Sequence, residues 1–77
     1  MITSSELRHL AEELIEDLVE YRLNSGLTQQ QVAHRIGINH TAISAFEHHR
    51  RNPGLEAVIR YADALGLELT FVAKERP

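Results

Sequence analysis

Apolar positions in residues 3–24 recur at steps of three and four: Leu7, Leu10, Ala11, Leu14, Leu18 and Tyr21, with acids and polar residues between. That period predicts a long helix with one apolar face. Thr3 and Glu6 have the spacing of a capping box, and acids crowd the helix's first half, where its dipole favours them. Asn24-Ser25-Gly26 ends it. Thr28 opens a second helix, with Gln31 at the reciprocal capping position and Val32, Ala33 and Ile36 facing inward. Gly37 stops it, Ile38 follows, and Asn39 caps a third helix running to about His48, with Ile43 and Phe46 as its apolar positions. Residues 50–54 read as a loop, with Asn52-Pro53 as its turn signal. A fourth helix over 55–65 turns Leu55, Val58, Ile59, Ala62 and Leu65 inward, and Gly66 closes it.

The period then changes. Over residues 67–74, Leu67, Leu69, Phe71 and Ala73 alternate with Glu68, Thr70, Val72 and Lys74, which predicts a strand. One strand cannot satisfy its own backbone hydrogen bonds, and the chain offers no second strand to pair with it. The same strand of another subunit is the expected partner, which makes Leu67, Leu69, Thr70, Phe71, Val72 and Ala73 the expected dimerisation segment.

Length supports this reading. A chain of 77 residues suits one domain whose core is marginal alone. Without cysteine, disulfides cannot reinforce it, and oligomerisation is the natural alternative. No apolar run is long enough to cross a bilayer, and the first six residues lack the basic start and apolar core of a signal peptide. The expectation is a cytoplasmic protein without a membrane partner.

The net charge of −3 argues at first against a nucleic-acid partner, but its distribution does not. Residues 1–20 carry Arg8 against six acids, whereas residues 21–53 carry Arg22, Arg35, Arg50 and Arg51 against Glu47 alone. His34, His40, His48 and His49 lie in the same middle stretch and can gain charge near neutral pH. An anionic partner would meet the middle of the chain.

That middle stretch holds the most specific constellation, two short helices separated by a tight turn. Ala33 is small where the next helix must cross above it. Gly37 permits a backbone conformation costly to other residues. Ile38, Ile43 and Phe46 hold a crossing of about 90–120°. The third helix then projects His40, Thr41, Ser44, Ala45 and His48 away from the core, and a protruding helix with short polar side chains fits the major groove.

The run Leu27-Thr28-Gln29 through Gly37-Ile38, then Thr41-Ala42-Ile43-Ser44, Glu47 and Arg51-Asn52-Pro53, resembles the lambda-repressor-like, or XRE, helix-turn-helix family. The likeness covers about residues 21–66. Residues 35–73 are most similar to HipB-type antitoxins, in the Gly-Ile turn, the Ala-Ile-Ser core of the third helix, the Phe-Glu pair after it and the final Leu-Glu-Leu strand. The resemblance implies an all-α, four-helix helix-turn-helix domain over 1–77, with the motif at 28–48 and a C-terminal strand at 67–74 paired across a dimer. It places Gln29 where family members touch phosphate, and Asn39, His40, Thr41, Ser44 and Ala45 on reading positions. It also implies an Arg22–Glu47 ion pair tying the first helix to the third.

The expected function is a dimeric repressor reading a palindromic operator in double-stranded DNA. Its phosphate contacts are expected from Gln29 and from Arg50, Arg51 and Asn52 on the loop, with His48 at the end of the reading helix. One alternative adds a kinase toxin as partner, as in a HipBA-like toxin–antitoxin pair that represses its own operon. A second is a protein-interaction module using the acidic first helix without DNA. No metal or cofactor is expected, since the histidines lack the spacing of a zinc helix motif and cysteine is absent. An enzyme is not expected either: no nucleophile elbow or oxyanion loop accompanies Ser44.

Overall fold

The computed structural model describes residues 2–49 and 53–73. Four helices follow one another, α1 (Ser4–Asn24), α2 (Gln29–Ile36), α3 (His40–Glu47) and α4 (Leu55–Ala64). Their starts obey local chemistry. The Thr3 and Thr28 hydroxyls accept from the N–H groups of Glu6 and Gln31, whose side chains accept in return from the cap N–H groups. Asn39 Oδ1 accepts from Ala42 N at 2.8 Å, which starts α3. Between α2 and α3 the chain turns at Gly37, whose φ of 71° lies in the left-handed region that residues with a Cβ avoid.

One core joins the helices. Ile15 and Leu18 of α1, Val32 and Ala33 of α2, Ile43 and Phe46 of α3, and Val58, Tyr61, Ala62, Ala64 and Leu65 from α4 and its end are buried together. Val32, Ile43 and Tyr61 are essentially sealed from water. Phe46 and Tyr61 stack at 4.7 Å between centroids, locking α3 onto α4. Leu27, Ile36 and Leu67 pack around the edge. Nearly all the expected inward positions of α2 and α3 are met, and Ala33 is buried beside α3 as its size requires.

Three expectations are corrected. On α1, the buried face is Ile15, Leu18 and Arg22, whereas Leu7, Leu10, Leu14 and Tyr21 are 42–53% exposed. At 3.6 residues per turn the two stripes are centred roughly 80° apart, so the helix has a core-facing stripe and a second, uncovered one. On α4, Leu55 and Ile59 face solvent, while Tyr61 and Ala64, absent from the expected set, are buried. The buried series 58, 61, 62 and 65 follows the helical period, and 55 and 59 fall off its edge.

The third correction concerns the C-terminal segment. Residues 67–73 form no strand. Leu67 N donates to Ala62 O and its side chain packs on the core, but Phe71 is fully exposed and Val72 nearly so. A ladder needs a partner strand, and no described part of the chain runs beside this segment to supply one. Lys74 lies outside the described residues.

Candidate nucleic-acid interface

The site is built outward from a carboxylate. Glu47, the last residue of α3, receives four hydrogen bonds. Its Oε2 accepts from Arg22 Nε at 2.8 Å and from the Tyr61 hydroxyl at 2.6 Å, and its Oε1 accepts from Arg22 Nη2 at 3.1 Å and from Gln29 Nε2 at 2.8 Å. Arg22 Nη1 donates in addition to the Leu27 carbonyl at 2.7 Å. The side chains of Arg22 and Glu47 are 8% and 4% exposed, so this is a buried pair in the bidentate geometry that guanidinium favours. It ties together all four helices: Arg22 is on α1, Gln29 on α2, Glu47 on α3 and Tyr61 on α4.

The electrostatics follow. Burial alone would push the Glu47 carboxyl up, but hydrogen bonds from Arg22, Tyr61 and Gln29 and the arginine's charge outweigh it, holding the group below its ordinary value. Burial likewise works against the Arg22 charge, and its bonds and attraction to Glu47 overcome that, so its pKa is raised. The Tyr61 hydroxyl is pushed far up, first by burial and then by the adjacent carboxylate.

From Gln29 the network reaches the surface. His40 Nε2 lies 2.7 Å from Gln29 Oε1. His40 is the first residue of α3 and is exposed, as is Thr41 beside it, while Ser44 and Ala45 one turn on are half-buried. His48 Nδ1 donates to the Ser44 carbonyl at 2.7 Å, closing the end of α3 on itself, with the Ser44 hydroxyl 3.4 Å from the same nitrogen. Asn39 spends its carbonyl oxygen on the cap. The structure therefore gathers Gln29, Asn39, His40, Thr41, Ser44, Ala45 and His48 along one short helix and the start of its predecessor. Arg50, Arg51 and Asn52 lie outside the described residues.

The arginines of the middle stretch are less available than their count suggests. Arg22 is consumed by Glu47, and Arg35 Nη1 donates to the Ala64 carbonyl at 2.6 Å, closing the end of α4. Two features of the site escape sequence reasoning. Tyr61 as a Glu47 donor joins residues fourteen apart with no local signature. His49 adopts φ of 56°, uncommon for a residue with a Cβ, and brings its Nε2 to 3.7 Å from Glu16 on α1.

With this geometry in place, a helix-turn-helix family model matches residues 18–72, most of the chain. The chain belongs to this XRE-type helix-turn-helix family. Antitoxin HigA1 of Mycobacterium tuberculosis is 36% identical over 62 residues, covering 80% of this chain and 42% of the relative. This helix-turn-helix chain thus spans less than half the length of that antitoxin. An uncharacterised HTH-type transcriptional regulator of Methanothermobacter thermautotrophicus is 43% identical over 49 residues, 64% of this chain and 71% of the relative. No solved structure matches significantly.

Proposed function

We propose that this chain is a sequence-specific DNA-binding regulator that reads an operator in the major groove with α3. The observation that carries this reading is the two-sidedness of α3. Ile43 and Phe46 are locked in the core, Glu47 is anchored by three other helices, and the opposite side offers Thr41, Ser44 and Ala45 on a rigid support, with His40 exposed at the helix start. Short polar side chains on an immobilised helix can reach base edges at defined positions. Thr41, Ser44 and His40 are the base-reading residues in this account, with Ala45 packing against the groove. Asn39, expected on a reading position, keeps its amide nitrogen for the groove because its oxygen caps α3, while Gln29 and His48, together with Arg50, Arg51 and Asn52, serve the backbone. The role is binding rather than catalysis, exercised in the cytoplasm where the operator lies.

The regulator acts as a homodimer. Residues 67–73 present Leu69, Phe71 and Val72 to solvent at the end of the chain. Pairing of this segment with its two-fold mate as an antiparallel ribbon would cover those side chains and supply the missing ladder. Two reading helices about one helical turn apart would then match a palindromic operator.

The name of the mycobacterial relative favours a second reading, that of an antitoxin, in which the same DNA-binding chain also holds a toxin protein.

Selection of bound duplexes from a random pool by the full chain tests the DNA reading. A palindromic consensus is expected, bound with a log–log salt slope on the order of −3 to −6. Absence of any enriched sequence together with a flat salt response contradicts it.

A further inference from the structure

We propose that the first half of α1 is a docking surface for a second protein, one that presents basic side chains around an apolar patch. From residue 2 to residue 14 every residue but Glu12 is exposed, so this half of the helix stands clear of the core. On it, Leu7, Leu10 and Leu14 form a stripe with steps of three and four, continued by Tyr21 a further two turns on. An isolated exposed leucine is ordinary, but three aligned on one face of a helix are the pattern with which helices meet partners. The helix-turn-helix match begins only at residue 18, so the three leucines precede the part of the chain that the family shares.

Charge decides between occupants. Residues 1–20 hold six acids and a single arginine. By helical period Glu6, Glu13 and Asp17, all exposed, border the leucine stripe on the side away from the core. A second copy of this chain would bring the same acids against them, and DNA is excluded by its sign. A partner with lysines or arginines flanking apolar side chains complements both the stripe and its border. None of these residues belongs to the α3 surface, so this docking does not depend on the DNA reading.

The test uses the full chain and two synthetic helical peptides with the same leucine spacing, one flanked by lysine and arginine and the other by glutamate. Binding is read by fluorescence anisotropy at physiological salt. The basic peptide is expected to bind, and the acidic one not to. The double variant Leu10→Ala, Leu14→Ala should weaken the basic peptide about tenfold or more, and Glu13→Lys with Asp17→Lys should do the same. Alanine keeps helix propensity and all four positions are exposed, so circular dichroism of both variants and DNA binding of the leucine variant should be unchanged. Equal binding of both peptides, or loss in the charge variant alone, overturns the proposal. So does sedimentation showing that the chain self-associates through this face and that the leucine variant abolishes it.

Discussion

Glu47 Oε1 accepts from Gln29 Nε2 at 2.8 Å, so a carboxylate inside the fold orients a side chain at its surface. An ionised carboxylate only accepts, which turns the Gln29 amide nitrogen inward and its oxygen outward. That oxygen then accepts from His40 Nε2 at 2.7 Å. The hydrogen on the first residue of α3 is assigned in this way from the core, and His40 Nδ1 is left to accept from an incoming group.

The tautomer is measurable. Nitrogen chemical shifts of the neutral His40 ring should report hydrogen on Nε2 in the native chain and a loss of that preference in Gln29→Ala. A native ring carrying its hydrogen on Nδ1 contradicts the chain of bonds from Glu47.

Removing one member of the buried pair leaves the other charged and unpaired. Arg22→Met or Glu47→Leu alone should destabilise the fold by roughly 3–5 kcal/mol, and the double variant by distinctly less than the sum. Tyr61→Phe removes one bond to a charged acceptor and should cost about 1.5–3 kcal/mol. Urea unfolding followed by circular dichroism measures all four. Additive single-variant losses would show that the two groups are not coupled.

Stability should fall at both ends of the pH scale. Glu47 titrates lower in the fold than its ordinary 4.5, so the stability it contributes is complete above that value and is lost as pH falls through the folded one. Tyr61 titrates higher than its ordinary 10.0, so its contribution is complete below that value and is lost as pH rises above it. Glu47→Gln should flatten the acid limb and Tyr61→Phe the alkaline limb of unfolding free energy against pH. Limbs unchanged in these variants would place the linkage elsewhere.

What was legible in the sequence was local. Thr3 with Glu6, Thr28 with Gln31, Asn39 as a cap and Gly37 at the turn each act over three or four residues, and each was found where its spacing put it. The inner positions of α2 and α3 followed from period, and the Arg22–Glu47 pair from resemblance. Period alone did not say which of two neighbouring stripes on α1 the core would take, because Arg22, charged in sequence, occupies a core-facing position by virtue of Glu47. No local signal marks Tyr61 for the same reason: its partner is distant in the chain. Arg35 belongs to a basic stretch by count, yet its guanidinium is engaged by the Ala64 carbonyl. The terminal alternation is a strand pattern whose partner no described part of a single chain supplies.

Truncation tests that last point. Leu67 packs on the core and closes α4, so the cut belongs after it. The full chain should sediment as a dimer. The shortened chain should sediment as a monomer with native helicity, and should bind its operator far more weakly. A shortened chain that remains dimeric and binds as tightly removes residues 68–73 from the interface.

The division of labour on α3 is the central claim, and repeating the duplex selection with single variants tests it most directly. Thr41→Ala and Ser44→Ala should each alter the preferred base at one position per half-site, costing about 1–3 kcal/mol there, while Arg51→Ala should weaken every duplex about equally and leave the consensus intact. If Thr41→Ala and Ser44→Ala preserve the full consensus, α3 does not read the operator.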